Sequence, residues 1–186
     1  KPINRIILLY FGRVAKQKNV DVVVDTFNLL AAKYNNIFLD IVGNCTEPAY
    51  TEEIKRRISA SKYAYRITMH PACSHDKLKE YLADKHFYIF PTTEPREGHS
   101  NALTEAMAWG LIPVATDMGF NRTIIGENML IVKQLSPKSF ASVVSDIVDN
   151  RRILELSQRA YYHIQSNYTE DIVYNRLKEE YNMIIK

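Results

Sequence analysis

Two glutamates and two cations carry the chemistry this sequence can offer. Glu97 and Glu105 stand eight residues apart in the run Glu97-Gly98-His99-Ser100-Asn101-Ala102-Leu103-Thr104-Glu105. If Ser100 caps a helix, Glu97 belongs to the preceding loop and Glu105 lies more than one turn inside. The two carboxylates then contact different parts of one ligand; they do not flank a single scissile bond, as a hydrolytic pair would. The backbone amides at Ser100, Asn101 and Ala102, in the first turn, would face an anion between them. Arg13 and Lys18 lie in Gly12-Arg13-Val14-Ala15-Lys16-Gln17-Lys18-Asn19. Two cations converging near a helix amino terminus suit a diphosphate, because each charge-assisted hydrogen bond contributes about 1.5 to 3 kcal/mol and the helix end roughly 0.3 to 1 more. A leaving diphosphate is then stabilised without a metal.

These residues meet only if the chain alternates strands and helices. Ile6 to Phe11 reads as a buried strand, and Val20, Val23, Val24, Phe27, Leu30, Ala31 and Tyr34 form the stripe of an amphipathic helix. Strands follow at Ile37 to Val42, near Ile67 to Met69, at Phe87 to Phe90, Ile112 to Thr116 and Met129 to Val132. Helices are expected around Thr51 to Ser61, Asp76 to Leu82 and Ser100 to Trp109, the last stopped by Gly110. After Ser136-Pro137 the chain reads as helical at Pro137 to Val148, Arg151 to Gln165 and Glu170 to Ile185. Apolar strands alternating with helices indicate an α/β fold: a doubly wound, mainly parallel sheet of about six strands with a helical carboxyl terminus. Gly12, Gly43, Gly98 and Gly119 each follow an expected strand, which puts glycines and charges together on the carboxyl edge of the sheet, where such sheets bind ligands.

Composition narrows the alternatives. The chain has 186 residues and reads as one domain; its charge of +3, with acids and bases interspersed, is too small to indicate nucleic acid. No apolar run approaches the ~20 residues of a bilayer span. The two cysteines, Cys45 and Cys73, are expected as free thiols, and the absence of a signal-like segment gives cytosolic residence as the expectation. The small basic excess is compatible with a peripheral position at the inner face of a membrane.

Several motifs in order resemble the carboxyl-terminal donor domain of the family 4 retaining glycosyltransferases, a Rossmann-like half of the GT-B fold. Gly12-Arg13 with Lys18-Asn19 resembles the family's phosphate loop, Glu97 and Glu105 its Glu-x7-Glu motif continued by Glu-Ala-Met-Ala, and Gly110 to Gly119 its Gly-x-Pro-Val-x-Ala-Thr-Asp-x-Gly segment. The resemblance implies that residues 1–186 bind a UDP- or GDP-linked sugar for transfer to a hydroxyl of a glycan or lipid-linked acceptor, with retention, without a cofactor. An amino-terminal acceptor domain would lie outside this chain. Arg13 and Lys18 would hold the diphosphate with Gly12, Glu97 with Gly98 would meet the sugar, and Glu105 would bind the ribose. Backbone at Ser100, Asn101 and Ala102 would approach phosphate, and main chain near Pro71 and Ala72 would border the base. Three departures touch the sugar pocket: a longer loop from Thr92 to Arg96, Phe120 where a second glycine is frequent, and His99 where another aromatic is common.

Other readings fare worse. His70, Cys73 and His75 share one short loop but lack a fourth ligand at zinc spacing. No Gly-x-Gly-x-x-Gly follows the first strand, so a nicotinamide cofactor is not indicated. Trp109 and Met107 are expected in the core. The alternative function from another class is a noncatalytic nucleotide or nucleotide-sugar binding module.

Overall fold

A computed structural model describes residues 1–126 and 131–184. Six parallel strands, β1 (Ile6–Phe11), β2 (Ile37–Val42), β3 (Ile67–His70), β4 (Phe87–Phe90), β5 (Ile112–Thr116) and β6 (Ile131–Val132), form one sheet in the order β3-β2-β1-β4-β5-β6. Register is set by pairs such as Leu8 with Leu39 and Leu8 with Phe87. The order reverses between β1 and β4. At such a switch point the loops leaving the two strands run to opposite faces and leave a crevice at their carboxyl ends.

Helices α1 (Val20–Lys33), α2 (Pro48–Ser59), α3 (His75–Leu82), α4 (Asn101–Ala108), α5 (Asn121–Ile125), α6 (Pro137–Asp149), α7 (Ile153–Asn167) and α8 (Glu170–Ile184) complete the domain. The pleat of β1 divides the core. Leu8 and Tyr10 pack on one face with Phe27, Leu30 and Phe140 of α1 and α6, while Leu9 and Phe11 join Leu103, Met107, Ala160 and Ile164 of α4 and α7 on the other. Each of the large apolar side chains among them contributes about 1.5 to 3 kcal/mol when buried, so both faces of the sheet are firmly covered and its carboxyl edge is a rigid base.

Some boundaries differ from expectation for identifiable reasons. Helix α2 begins at Pro48 rather than Thr51, because proline is suited to the first helical position. Arg151 adopts a left-handed φ of 55°, which ends α6 and delays α7 to Ile153. The sixth strand is described only at Ile131–Val132; Met129 and Leu130 lie outside the described residues. Met107 is buried as expected, but Trp109, which follows the last residue of α4, is 41% exposed. Asp40, a charge within β2, is matched by the buried Lys85, whose Nζ lies 2.7 Å from Oδ2. The apolar stripe of α8, including Leu177, Tyr181 and Ile184, is exposed, and none of that helix's side chains is buried.

Candidate active site

The loops leaving β1 and β2 touch through their backbones. Gly12 stands at φ 145° and donates its N–H to Val42 O at 3.0 Å; a Cβ on Gly43 would fall 1.8 Å from Gly12 O. Two buried tyrosines hold the carbonyls on either side of Gly12 from within the core. Tyr10 donates its hydroxyl to Arg13 O at 2.6 Å and Tyr88 donates to Phe11 O at 3.0 Å. Burial pushes both phenols well above their ordinary range, so they remain donors. The result is a fixed turn that leaves Arg13 exposed, with no ion-pair partner for its guanidinium among the described residues.

A cleft of about 410 Å³ opens beside this turn, within the roughly 300 to 1,000 Å³ of small-molecule sites. Gly12 and Arg13 form one wall, Gly43 and Asn44 the floor, Ala72, Cys73, His75 and Leu78 the side after β3, and Glu105 reaches in from α4. Burial raises the carboxyl of Glu105 above its ordinary value, while His75, whose Nε2 lies 3.2 Å from Oε1, acts in the opposite direction. Pro71 is exposed beside Ala72 and does not line the cleft.

Lys18 and Glu97 make a second group across the switch point. They form an ion pair in which the side chains are 9% and 14% exposed, and Thr92 Oγ1 donates to the same carboxylate at 3.1 Å. The two cations expected to converge therefore part ways: Arg13 faces the cleft and Lys18 turns to Glu97. Asn19 locks the arrangement. It takes a left-handed φ of 49°, a conformation asparagine tolerates, and donates Nδ2–H to Pro91 O at 2.8 Å and Thr93 Oγ1 at 3.1 Å, tying the loop after β1 to the loop after β4. Behind Glu97, a Cβ on Gly119 would fall 1.8 Å from Glu97 O. Glu94, the competing carboxylate, accepts from Arg96 N–H within its own loop.

Ser100 caps α4 as expected, its Oγ accepting from Leu103 N–H at 3.3 Å. The amides of Asn101 and Ala102 have no acceptor among the described residues, so the positive end of α4 is presented at the same edge. Gly98 is exposed with open space around its Cα. The structure thus gathers Gly12, Arg13, Ala72 and Glu105 on the cleft and Lys18 with Glu97 beside it, while Gly98, Ser100, Asn101 and Ala102 stand at the end of α4. Sequence reasoning missed the roles of Tyr10, Tyr88, Thr92 and His75 in holding these groups. Only Asn19, placed between a turn of 3-10 helix and α1, carried a local signal. The three residues drawn as metal ligands diverge: His70 packs on Tyr81, His75 meets Glu105, and among the described residues no His, Cys, Asp and Glu grouping fits a metal ion. No described helix is long and apolar enough to cross a membrane.

Residues 1–166 match the family model of the glycosyl transferases group 1, and the chain belongs to that family. It is 22% identical to the capsular polysaccharide biosynthesis glycosyltransferase CapM of Staphylococcus aureus over 98% of this chain and 47% of CapM. To the lipopolysaccharide core biosynthesis mannosyltransferase LpsB of Rhizobium meliloti (strain 1021) it is 29% identical, over 76% of this chain and 41% of LpsB. The chain thus spans less than half the length of these relatives. Its fold is that of a glycosyltransferase from Rickettsia africae (TM-score 0.83, 20% identity, all of this chain and 49% of that one) and of HepE from Anabaena in complex with UDP-glucose (TM-score 0.83, 14% identity, 97% of this chain and 49% of that one).

Proposed function

We propose that residues 1–186 are the donor-binding domain of a retaining glycosyltransferase that moves a sugar from a UDP- or GDP-linked donor to a hydroxyl of a glycan or lipid-linked acceptor. The observation that carries this reading is the cleft, with a cation, Arg13, that has no ion-pair partner among the described residues on one wall, and a half-buried carboxylate, Glu105, on the other. A nucleoside diphosphate has the matching polarity: hydroxyls on the ribose for a carboxylate to accept from, and negative oxygens on the diphosphate for a guanidinium. The names of the relatives, a UDP-glucose complex among them, support the same ligand class.

In this reading the base lies against main chain at Ala72, the ribose meets Glu105, and the diphosphate extends past Gly12 and Arg13 toward the amides of Asn101 and Ala102. Its sugar then reaches Gly98 and Glu97. As the bond to the diphosphate breaks, negative charge grows on the leaving group, where Arg13 and the end of α4 are preorganised, and positive charge grows on the sugar, where Glu97 stands. Lys18 holds Glu97 in place and adds its charge on the phosphate side. The acceptor binds to an amino-terminal domain supplied by the rest of the longer protein, whose closure excludes water. A place at the inner face of a membrane accords with a lipid-linked acceptor.

Calorimetric titration of the full-length protein with a panel of nucleoside diphosphate sugars, followed by an assay of the one that binds, tests the proposal. Binding of one UDP- or GDP-sugar and its transfer with unchanged anomeric configuration is the expected result. Binding without any turnover in the full-length protein would favour a noncatalytic nucleotide-sugar module instead.

A further inference from the structure

His75 opens α3, and 76% of its side chain is exposed, yet its Nε2 lies 3.2 Å from Glu105 Oε1. Burial does not hold a ring so exposed, so the contact with the carboxylate is what orients it. The two side chains, with Leu78, line the cleft on one side and a second cavity of about 190 Å³ between α3 and α4 on the other, where Trp109 forms part of the wall. The contact is therefore part of the partition between two spaces, and a glutamate released from it has two directions in which to turn.

We propose, resting on the donor reading above, that His75 is a positioning residue for the nucleoside's ribose: its ring, with Nε2 at ion-pair distance from Glu105 Oε1, holds that oxygen, so that the other carboxylate oxygen is directed at the ribose hydroxyls in the cleft. An ionised carboxylate only accepts, so the histidine nitrogen facing it must carry a hydrogen, and both the neutral and the protonated ring satisfy this. His75 also opposes the rise that burial imposes on the Glu105 carboxyl, which favours the ionised acceptor. Fixing a long side chain before the ligand arrives removes part of the ordering cost of binding.

The test is a cycle between protein and ligand, because a merely structural role for His75 would affect all ligands alike. The full-length protein is titrated with UDP and GDP, and then with the 2′,3′-dideoxy form of whichever binds. His75→Ala is expected to weaken the ribonucleotide up to about fivefold, the benefit of a largely exposed ion-pair contact, and to leave the dideoxy form unchanged. His75→Gln, which keeps an N–H donor, recovers most of the loss. Equal weakening of both ligands, or no weakening of the ribonucleotide, overturns the role of His75 while leaving the donor reading standing. Failure of the wild-type protein to bind either nucleotide overturns both.

Discussion

The ammonium of Lys18 and the carboxylate of Glu97, 79 residues apart in the chain, form a single ion pair at the switch point of the sheet, with both side chains nearly withdrawn from water. Removing one partner of such a pair leaves the other charged and unmatched, whereas removing both leaves nothing to compensate. Lys18→Met and Glu97→Gln should each cost about 2 to 3 kcal/mol of folding stability, and the double variant should cost less than the sum of the two. Urea unfolding of the four proteins checks this; additive losses would show that the pair is not coupled.

The same pairing separates the two glutamates by ligand. Glu105→Gln should weaken nucleoside diphosphate and nucleotide sugar alike, by roughly tenfold to a hundredfold, because the proposed ribose contact is common to both. Glu97→Gln should leave the diphosphate bound as tightly or more tightly, since it frees the Lys18 ammonium, while turnover of the full-length enzyme falls. Calorimetry with both ligands and a transfer assay distinguish the variants. Weakening of the free diphosphate by Glu97→Gln to the extent seen for Glu105→Gln would remove Glu97 from the sugar.

Gly119 and Gly98 flank the Glu97 loop in space and sequence but tolerate a side chain very differently. At Gly119, φ is 51° and an added Cβ would meet the Glu97 carbonyl carbon at 2.7 Å as well as its oxygen, so Gly119→Ala must displace the loop backbone. A loss of about 2 kcal/mol or more is expected, together with turnover. Gly98→Ala meets nothing within 4 Å and should unfold within about 0.5 kcal/mol of wild type. If Gly98→Ala nevertheless loses turnover, the loss reports a ligand at that spot; thermal unfolding beside the transfer assay separates the two effects.

Much of this arrangement was legible in the sequence because it rests on local rules. The apolar runs gave strands at Ile6–Phe11 and Ile112–Thr116 with the expected bounds, and Ser100 announced the start of α4. What was not legible depends on partners distant in the chain. Nothing near Lys18 indicates that it will face Glu97 rather than stand beside Arg13, and nothing near Tyr10 or Tyr88 indicates that their hydroxyls will hold the turn at Gly12. Helix α5 was not expected; it is only five residues long, and its formation rests on the burial of Ile124 and Ile125, which pack with residues of α4 and α7. The periodicity of α8 was read correctly, but periodicity alone does not say whether a stripe is covered.

Burial sets the direction in which donor binding depends on pH. It raises the Glu105 carboxyl, only partly opposed by His75, so protonation of this acceptor begins at a higher pH than for an ordinary glutamate. The affinity for nucleoside diphosphate should then be full while the group is ionised and fall as pH drops through its raised value. Glu105→Gln should bind weakly with a flatter profile over the same range. Titrations from pH 7.5 to about pH 4.5 with both proteins check this; parallel profiles would assign the pH dependence to another group.

His86 governs a separate acid sensitivity, at the edge of the sheet opposite the cleft. Its ring is buried, and its Nδ1 accepts the Ile7 N–H at 3.1 Å, while its own backbone links β1 to β5 through Ile7 O and Ile112 N–H. A proton added at Nδ1 would destroy that hydrogen bond and place a charge in the core. Burial first, and then the nearby Lys1 ammonium, lower its pKa to about 4 from an ordinary 6.5. Above pH 6.5 the ring is neutral in folded and unfolded chains and contributes no pH dependence. Between 6.5 and 4 the unfolded chain takes up a proton that the folded chain refuses, so stability falls as the pH falls, by about 3 kcal/mol in all. Below 4 both forms are protonated and the slope from this group ends. His86→Asn supplies an amide oxygen near the position of Nδ1 to accept from Ile7 but takes up no proton in this range. The difference in unfolding free energy between wild type and His86→Asn, measured in urea at intervals from pH 7 to pH 4, should therefore shift by about 3 kcal/mol in favour of the variant as the pH is lowered. A difference that stays constant with pH would mean that His86 does not carry this proton linkage.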